Sequence, residues 1–470
     1  MMSRKTKIIC TLGPASADLD SLKKLVHSGM NVARLNLSHG TLEEHERTIK
    51  NIREVSQEVA ILVDLQGPRI RTGSLLEKEI KIRKGTVINL TSEEIAGDEE
   101  IISLSPASVI ADVKINDPVL IADGTIKLKV VKKRKKSIEC KVIEGGVIGE
   151  HKGVNLPETE LRLPSLTKKD KQDVAWAIGK EVDYIALSFV RKPADVLELK
   201  RILQSKKAGL PVISKIEKAE AVKNLKEIIK VSDGVMVARG DLGVEISLEK
   251  VPILQKDIIE ACRTFEKPVI VATQMLESMV KAPTPTRAEV SDVANAIFDG
   301  ADAVMLSEET SVGDFPIETV KTMARIAEEA ERRIRVSPQS VQADINVDVA
   351  VAHAACVLAQ VVRANAIITF TETGSTALRV SKHRPEVPIF GIVTNDRTLR
   401  RLSLFYGVHP LKISAFKYID EMILKTEKAI LEVGHLNKND IVVITAGVPI
   451  NIPGTTNLIK VHRIGERGTL

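Results

Sequence analysis

Short apolar runs that alternate with amphipathic stretches dominate the chain, and they predict its architecture. Each run ends in a polar or glycine-containing turn, and apolar positions spaced three and four residues apart follow it, which is the pattern of a strand followed by a helix. Eight such runs are present, at 7–12, 32–36, 60–64, 184–187, 212–215, 234–238, 269–272 and 303–306. Eight alternating strands and helices predict an α/β fold, a closed parallel (β/α)8 barrel, with its chemistry at the carboxyl ends of the strands.

The helical period disappears between residues 73 and 155. Period-two stretches such as Ile80-Lys81-Ile82 replace it, separated by the turn pairs Gly97-Asp98, Asp123-Gly124 and Gly145-Gly146. This pattern predicts an inserted small β-barrel domain at 73–155. A domain carried on a loop above the active face would act as a lid that excludes water from the reaction.

The pattern changes again after residue 335, where Ser337-Pro338 and a polar stretch precede new strand and helix units. Apolar runs at 366–370, 389–393 and 441–445 predict a separate C-terminal α/β domain at 336–470. The barrel domain is then divided by the lid into a first part at 1–72 and a second part at 156–335.

Composition narrows the class of protein. The 470 residues are 44% hydrophobic and 28% charged, which is typical of large globular proteins and not of disordered ones. The sequence contains neither the run of about 20 apolar residues that spans a bilayer nor a signal-type segment, so we expect a cytoplasmic protein without a membrane partner. The formal charge of +6 is dilute and aromatic residues make up 3%, which argues against nucleic acid as a partner and suits small anionic substrates.

Polar residues follow the predicted strands. Lys215-Ile216-Glu217 and Arg239-Gly240-Asp241 end two successive strands, so their carboxylates are candidates for binding one cation. Two carboxylates leave octahedral positions for substrate oxygens and water, as Mg²⁺ requires. Lys215 lies in an apolar strand, where an ammonium must be paired or functional. The alternatives are surface acids for Glu217 and Asp241 and a structural ion pair for Lys215.

Six segments carry a resemblance to a known family. They are Thr6-Lys7-Ile8 through Gly13-Pro14-Ala15-Ser16, Met30 to Gly40, Lys152-Gly153-Val154-Asn155-Leu156-Pro157, Lys215-Ile216-Glu217, Met236 to Glu245, and Ala272 to Met279. In this order they resemble the pyruvate kinases, and the resemblance covers essentially the whole chain. It implies transfer of a phosphoryl group from phosphoenolpyruvate to ADP, giving pyruvate and ATP in the last step of glycolysis. It also implies a barrel with a β lid, a C-terminal regulatory domain and a homotetramer.

The resemblance implies roles for single residues. Glu217 and Asp241 would hold Mg²⁺, with Mn²⁺ as an alternative. Lys215 would stabilise the phosphoryl group in transfer and the enolate that remains, where fixed positive charge helps most. Arg34 would contact the phosphoryl group, and the backbone at Arg239, Gly240 and Asp241 would hold the substrate carboxylate.

Protonation of the product and binding of the nucleotide involve further residues in the family. Thr273 would border the methylene carbon that becomes protonated, and Ser307, with bound water, would belong to that proton route. The residues that resemble the nucleotide side of the family are Asn36, His39, Arg71 and Lys152. Because Lys152 lies at the lid boundary, lid closure would couple nucleotide binding to assembly of the site.

One departure from the family concerns a monovalent cation. Potassium-dependent members read Asp-Thr-Lys-Gly-Pro-Glu in the third-strand motif, whereas this chain reads Asp64-Leu65-Gln66-Gly67-Pro68-Arg69. A base thus replaces an acid, and we expect that K⁺ is not required because Arg69 supplies the positive charge. The oxygens left for a monovalent ion would be those of Asn36, Ser38, Asp64 and the Leu65 carbonyl. Glu308 and Ala122 also depart from the family, replacing a glycine and an acid.

The C-terminal domain contains a candidate effector site. Thr371, Thr373, Ser375 and Thr376 surround Gly374 between a predicted strand and a helix, where hydroxyls and helix amides can hold phosphate. The alternative is an ordinary capped helix. The resemblance favours a phosphorylated effector, and because Ser375 stands where the family often has a basic residue, we expect AMP or a sugar monophosphate instead of a sugar bisphosphate.

Two other functions are compatible with these residues. One is another Mg²⁺-dependent barrel enzyme that acts on phosphoenolpyruvate or pyruvate, which would need neither the lid nor the nucleotide-side residues. The other is a catalytically silent protein that binds a phosphorylated effector, which would not need Lys215, Glu217, Asp241 or Thr273. Pyruvate formation that strictly requires ADP distinguishes the kinase from both.

Overall fold

The computed structural model describes residues 4–334, 346–449 and 456–466. The chain begins with three strands and two helices in alternation. These are β1 (Lys7–Thr11), α1 (Leu19–Ser28), β2 (Val32–Asn36), α2 (Leu42–Val55) and β3 (Ala60–Asp64). The side chain of Asp18 caps the start of α1, and Gly29 ends it at φ 117°, a conformation that favours glycine. Thr41 and Glu44 form a capping box at the start of α2.

The next segment is almost entirely β-structure. It contains β4 (Ile70–Thr72), β5 (Glu79–Ile82), β6 (Val87–Thr91), β7 (Ile101–Ser105), α3 (Val109–Asp112), β8 (Pro118–Ile121), β9 (Ile126–Lys133), β10 (Ser137–Glu144), β11 (Gly146–Gly149) and β12 (Gly153–Asn155). Seven strands close into a small barrel in the order β10-β6-β7-β4-β12-β8-β9, and β11 pairs with β5 as a separate ribbon. The barrel encloses a core of isoleucine, leucine and valine side chains. The predicted small β barrel is therefore confirmed.

Strand and helix alternation resumes after the small barrel. The elements are α4 (Lys168–Ile178), β13 (Tyr184–Leu187), α5 (Pro193–Ser205), β14 (Val212–Ile216), α6 (Ala219–Lys223), α7 (Leu225–Val231), β15 (Gly234–Ala238), α8 (Arg239–Glu245), α9 (Val251–Thr264), β16 (Val269–Ala272), α10 (Arg287–Asp299), β17 (Ala303–Leu306), α11 (Glu308–Ser311) and α12 (Pro316–Glu331). Two 3₁₀ helices, Leu248–Lys250 and Glu277–Val280, precede α9 and α10.

Eight of these strands form the predicted parallel barrel. Their order is β1-β17-β16-β15-β14-β13-β3-β2, and the sheet closes on itself. Nearly every residue of these strands is buried, as expected for parallel strands that are covered on both faces. The eight apolar runs match the strands to within one residue, so the predicted (β/α)8 barrel is confirmed.

The C-terminal elements form an α/β sheet of their own. They are α13 (Val347–Val361), β18 (Ala366–Phe370), α14 (Ser375–Lys382), β19 (Ile389–Val393), α15 (Asp396–Leu402), β20 (Val408–Lys412), α16 (Ile419–Val433), β21 (Ile441–Gly447) and β22 (Thr456–Arg463). The sheet order is β20-β19-β18-β21-β22, with β22 antiparallel to β21. This is the predicted C-terminal α/β fold. The boundary motif Ser337-Pro338 lies outside the described residues.

By compactness, the described chain divides into two units. One unit contains residues 1–63, 180–185 and 259–470, and the other contains 64–179 and 186–258. The first unit includes the apolar core of the C-terminal sheet, and the second includes the core of the small barrel. The predicted domain limits at 72, 155 and 335 stay predictions. Within the described residues, no helix combines the length and apolar character needed to cross a membrane.

Candidate active site

The ammonium group of Lys215 is buried at the carboxyl end of β14, in the unit that contains residues 64–179 and 186–258. Its Nζ atom lies 2.8 Å from Oε1 of Glu217 and 3.3 Å from Oδ2 of Asp64. It also donates a hydrogen bond of 2.8 Å to Oγ of Ser188. Burying a charge is costly unless it is paired and hydrogen bonded, and the two carboxylates and the hydroxyl meet that requirement.

Ser188 follows directly after β13, and its hydroxyl is held in one orientation. The hydroxyl donates to the carbonyl oxygen of Leu65 at 2.7 Å, and its oxygen is 3.3 Å from Oδ1 of Asp64. A serine hydroxyl has one proton to donate and two lone pairs to accept with. With its proton directed to Leu65, Ser188 presents a lone pair to Lys215.

Glu217 is completely buried at the end of the same strand as Lys215. Its Oε2 accepts the backbone N–H of Phe189 at 2.8 Å, and its Oε1 forms the ion pair with Lys215. Burial raises the pKa of the Glu217 carboxyl, the Lys215 ammonium opposes that rise, and the charge of Asp241 adds to it. Phe189 has φ 54°, an uncommon conformation for a residue other than glycine.

Asp241 lies in the first turn of α8, directly after β15. Its Oδ1 is 3.9 Å from Nη2 of Arg69, with about a third of each side chain exposed to solvent. The pair is therefore a weak, partly screened ion pair. Glu217 and Asp241 follow the neighbouring strands β14 and β15, and the charge of Asp241 adds to the rise in the pKa of Glu217. Two such carboxylates suit a divalent cation. Within the described residues, no group of three or more His, Cys, Asp or Glu residues is placed to hold a metal ion.

A buried carboxylate joins the end of the small barrel to this region. Oε1 of Glu245 accepts hydrogen bonds from Nζ of Lys218 at 2.6 Å and from Nδ2 of Asn155 at 2.8 Å. Asn155 is the last residue of β12, and Lys218 follows Glu217 directly. Lys218 Nζ is also 5.9 Å from the ring centre of Phe189, a cation–π distance. Glu245 therefore ties the strand that leaves the small barrel to the segment that contains Glu217.

Two of the four nucleotide-side residues lie in this unit. Arg71 lies in β4 and donates to the His151 carbonyl at 3.2 Å. Burial and the neighbouring Arg69 lower the pKa of Arg71. Lys152 is exposed, and its backbone N–H donates to Oγ1 of Thr72 at 2.9 Å. Arg71 lies in the first strand of the small barrel, and Lys152 directly precedes its last strand, β12.

Other predicted residues lie in the unit that contains residues 1–63, 180–185 and 259–470. Arg34 is buried in β2 and donates to Oγ1 of Thr11 at 2.9 Å. Asn36 is the last residue of β2, and its side-chain oxygen accepts the N–H of Ser38 at 3.2 Å. His39 is exposed, and its carbonyl oxygen is 2.9 Å from Nε2 of His45. The loop after β2 thus brings Asn36, Ser38 and His39 together.

Thr273 and Ser307 follow β16 and β17 directly, in the same unit. Thr273 has φ 72°, which is strained for a β-branched residue. Glu309 is fully buried, and its carboxylate accepts the N–H of Ser307 at 2.6 Å and of Leu276 at 3.2 Å. Burial raises the pKa of the Glu309 carboxyl. Glu309 therefore joins the two loops that contain Thr273 and Ser307, whereas its neighbour Glu308 is exposed.

The four hydroxyls of the candidate effector site divide into two kinds. Thr371 and Thr376 are buried and hydrogen bonded, the first to the N–H of Gly374 at 2.9 Å and the second to Oγ1 of Thr456 at 2.7 Å. Thr373 is exposed and Ser375 is half-buried, with their oxygens 3.3 Å apart. The loop 371–376 therefore presents Thr373 and Ser375 to solvent and uses the other two hydroxyls internally.

Sequence reasoning missed four residues of these regions: Ser188, Phe189, Glu245 and Glu309. A signal for Ser188 was present, because it is a polar residue directly after an apolar strand, the rule that identified Lys215 and Asp241. Glu245 and Glu309 carry no such signal. Glu245 accepts hydrogen bonds from Asn155 and Lys218, which lie 90 and 27 residues away in the sequence. Glu309 accepts the N–H of Leu276, 33 residues away. Only folding brings these residues together.

Comparisons with known proteins agree with this geometry. Residues 3–320 match the family model for the pyruvate kinase barrel domain, and residues 349–462 match that for the pyruvate kinase alpha/beta domain. Pyruvate kinases of Staphylococcus aureus strains MRSA252 and USA300 are similar, each 44% identical over 480 aligned residues that cover 98% of this chain and 81% of the relative. A solved pyruvate kinase from Cryptosporidium parvum is similar at a TM-score of 0.93 and 40% identity, with 98% of this chain and 96% of that chain covered.

The barrel match alone spans more than half of the chain, and the relatives are similar over nearly all of it. The strand-end lysine and carboxylates lie in segments of that match. The chain therefore belongs to the pyruvate kinase family.

Proposed function

We propose that Lys215, Glu217 and Asp241 carry out the reaction of this family, transfer of a phosphoryl group from phosphoenolpyruvate to ADP to give pyruvate and ATP. The observation that supports this assignment is the buried Lys215 ammonium, which is held by Asp64, Glu217 and Ser188 at the end of a barrel strand. In a purely structural ion pair, one acid is enough to neutralise the lysine. Two buried acids and an oriented hydroxyl instead fix an ammonium in a chosen position.

In the transfer, the bond between phosphorus and the enol oxygen of phosphoenolpyruvate breaks, and a bond forms between phosphorus and a terminal oxygen of ADP. The electron pair of the broken bond stays on the enol oxygen and produces the enolate of pyruvate. Lys215 places positive charge beside the phosphoryl group and the developing enolate, where charge is greatest in the transition state. Its effect is thus expected mainly in kcat.

Glu217 and Asp241 fit the Mg²⁺ on which this family generally depends. Both are carboxylates that follow neighbouring strands, and Oε1 of Glu217 lies 2.8 Å from the Lys215 ammonium. Carboxylate oxygens suit a hard cation. When bound, Mg²⁺ supplies positive charge that neutralises substrate oxygens. Mn²⁺ takes similar oxygen ligands and is the expected substitute.

The remaining assignments follow the family resemblance. Arg34 contacts the phosphoryl group, and the backbone of Arg239, Gly240 and Asp241 holds the substrate carboxylate. Thr273 and Ser307 serve protonation of the enolate at its methylene carbon. The nucleotide is bound by Asn36, His39, Arg71 and Lys152. The strained backbone of Thr273 and the Glu309 carboxylate that holds Ser307 support the role of these two residues in protonation.

Three further proposals concern ions, effectors and assembly. K⁺ is not required, because Arg69 places a positive charge beside Asp241. The oxygens of Asn36, Ser38, Asp64 and Leu65 then need no monovalent ion.

Loop 371–376 binds AMP or a sugar monophosphate through Thr373 and Ser375, with Thr371 and Thr376 shaping the loop. A homotetramer and a cytoplasmic location stay predictions from the family resemblance and the sequence.

The assignment of Lys215 is tested by Lys215→Met. We expect kcat to fall at least about a thousandfold, while phosphoenolpyruvate binds with nearly unchanged Kd, because the ammonium acts most strongly on the transition state. Lys200→Met is the matched control, since Lys200 pairs with Asp233 in the same unit, at the amino end of a barrel strand and not at the carboxyl ends where Lys215 and Glu217 lie. Pyruvate formation is followed with and without ADP, phosphoenolpyruvate binding by calorimetry, and folding by circular dichroism.

Turnover of Lys215→Met within tenfold of the unchanged protein would exclude the assignment. Pyruvate formation without ADP by the unchanged protein would instead favour a different enzyme of phosphoenolpyruvate. Binding of AMP with no turnover in either protein would indicate a silent effector-binding protein.

A further inference from the structure

Three barrel strands begin directly after an aspartate that has the same local role. Asp183 precedes β13, Asp233 precedes β15 and Asp302 precedes β17. Each carboxylate accepts a backbone N–H from the neighbouring strand, and the donors are Ile61 at 2.9 Å, Val212 at 2.8 Å and Val269 at 2.8 Å. Each aspartate thus fixes the amino end of one strand pair. These three residues are called the strand-start aspartates below.

The cations that face these carboxylates come from different parts of the chain. Asp233 pairs with Lys200 of α5, a barrel helix, and its side chain is 36% exposed. Asp302 is completely buried and pairs with Lys382 and Arg384, both from the C-terminal sheet region. Asp183, also completely buried, pairs with Arg53 of α2 and with Arg400 of α15, each at 2.8 Å. Asp183 and Asp302 therefore pair with cations from the C-terminal region. Asp233 pairs with a cation of a barrel helix and serves as the internal comparison.

Lys382 and Arg384 connect Asp302 to the loop 371–376. Helix α14 begins at Ser375 within that loop and ends at Lys382. Its eight residues span about 12 Å at the usual rise of a helix. Arg384 follows two residues later and lies over the ring of Tyr406, 3.6 Å from its centre. One rigid helix therefore has the candidate effector loop at one end and the Asp302 carboxylate at the other.

A parallel connection reaches Asp183. Oγ1 of Thr398 in α15 donates to the carbonyl of Glu372 in the same loop at 2.9 Å. Two residues further along α15, Arg400 contacts Asp183. Both helices that contact the loop therefore place a cation of their last turn on a buried strand-start aspartate.

Asp302 in turn fixes the strands that lead to proposed catalytic residues. Its carboxylate holds the first residue of β16, Val269, and its own backbone leads into β17. The carboxyl ends of these strands carry Thr273 and Ser307. We propose that Asp302 is a positioning residue that couples occupancy of loop 371–376, through α14 and Lys382, to strands β16 and β17. This inference rests on the proposed effector function of the loop.

The physical reason for the coupling is the cost of separating buried charges. If α14 moved without Asp302, a buried carboxylate and a buried ammonium would lose their partners in a poorly solvated region. The pair therefore moves together, and a change at the start of α14 is transmitted to the Asp302 carboxylate. At Asp233 the corresponding cation comes from α5, so its strand pair lacks this connection.

The test compares three substitutions of Lys382 with a control. Lys382→Met removes the cation, Lys382→Gln keeps a hydrogen-bond donor without charge, and Lys382→Arg keeps the charge. Lys200→Met removes the matching cation from Asp233.

Amide hydrogen exchange is measured on peptides that contain Val269 and Val212. Without any ligand, we expect Lys382→Met to accelerate exchange at Val269 by about tenfold or more, with less than about a twofold change at Val212. Lys200→Met should reverse that pattern, and Lys382→Arg should restore slow exchange.

The second measurement uses AMP and glucose 6-phosphate as probes. Binding is measured by calorimetry, and activation by the change in KM for phosphoenolpyruvate. We expect a probe that activates the unchanged protein to bind Lys382→Met with a Kd within about threefold and to lose most of its activation. The same probe should slow exchange at Val269 in the unchanged protein only. If Lys382→Met does not fold, Lys382→Gln provides the same comparison with its donor retained.

The outcomes separate this inference from the effector proposal. Full activation of a folded Lys382→Met, or equal exchange at Val269 with and without the Lys382 ammonium, would overturn the coupling. If neither probe binds the unchanged protein, the proposed function of the loop fails and transmission from it fails with it. The exchange data without ligand then still decide whether α14 holds the start of β16.

Discussion

The position of the Lys215 ammonium depends on a neutral hydroxyl as well as on two acids. Asp64 and Glu217 attract the ammonium but are charged, and Glu217 is also the proposed metal ligand. Ser188 differs because it is neutral and because its proton is engaged by the Leu65 carbonyl. Its lone pair therefore stays directed at Lys215 whatever the ionisation of the acids. We infer that Ser188 positions Lys215.

Ser188→Cys tests this role. Sulfur fills similar space but accepts hydrogen bonds weakly, so we expect kcat to fall about tenfold, a loss of about 1.4 kcal/mol, with KM for phosphoenolpyruvate within about twofold. Ser214→Cys is the matched control, because Ser214 is equally buried in β14 but contacts Ser232 at 2.6 Å. Equal kcat values for the two variants would show that Ser188 only fills space.

The second prediction for a single residue concerns Arg69 and the effect of K⁺ on the reaction rate. The unchanged protein should show less than about a twofold activation by K⁺, and Arg69→Glu should show more than about tenfold, because the acid attracts a cation where the guanidinium repels one. Initial rates are measured with saturating substrates and Mg²⁺ in tetramethylammonium buffer, with and without KCl at constant ionic strength. Arg162→Glu, which makes the same charge change beside Asp112, is the control. Strong K⁺ activation of the unchanged protein would contradict the proposal.

Among the elements, the loop between β18 and α14 separates structural from accessible hydroxyls. Thr371 holds Gly374, which has φ 94° and so needs the freedom of glycine. Thr376 contacts Thr456 at the start of β22. Removing these two groups would disturb the loop itself. Thr373 and Ser375 are the groups available to a ligand, a division that spacing in the sequence does not reveal.

The combined change Thr373→Val and Ser375→Ala should therefore weaken binding of AMP or glucose 6-phosphate by about tenfold or more, since two phosphate contacts are lost. Basal kcat should stay within about twofold. Calorimetry and coupled assays measure the two effects. Thr86→Val with Ser92→Ala, which removes one exposed and one half-buried hydroxyl from the small barrel, is the control. Unchanged affinity would place the phosphate site elsewhere.

For the whole molecule, two half-buried histidines set a limit on acid stability. Burial, and then the positive charge of Lys7, lower the pKa of His409 to about 3. Burial, followed by His353 and Arg263, lowers the pKa of His383 to about 4. Unfolded histidine titrates near 6.5. Below that pH the unfolded chain binds a proton that the folded chain does not, so stability falls as pH falls from about 6.5 towards the folded pKa.

His409→Gln should reduce the loss of folding stability that occurs as the pH falls. Between pH 6 and pH 5, each such histidine contributes a loss of about 1.2 kcal/mol in the free energy of unfolding, and the variant should lose about that much less than the unchanged protein. Urea unfolding followed by circular dichroism at the two pH values measures the difference. His151→Gln, a change at an exposed histidine, should leave it unaltered. The same pH dependence in His409→Gln and the unchanged protein would refute the role of His409.

The sequence alone determined the architecture, because strand and helix periodicity is a local property. The eight apolar runs matched the barrel strands to within a residue, and the change to period two at 73 marked the small barrel. It also predicted Lys215, Glu217 and Asp241 as site residues, since a polar residue at the end of a buried strand is visible without knowing its partners, and their roles stay predictions.

Only the tertiary structure decided which groups act on one another. Ser188 was recognisable as a strand-end residue, but its hydrogen bonds to Lys215 and Leu65 join residues 27 and 123 positions away. Asp302 reads as an ordinary polar residue before a strand, and it acquires Lys382 from 80 residues away. Such pairings depend on burial and on the meeting of distant segments, which lower the local dielectric and make each charge depend on its partner. Periodicity specifies the elements, whereas these long-range contacts arise only when the elements pack.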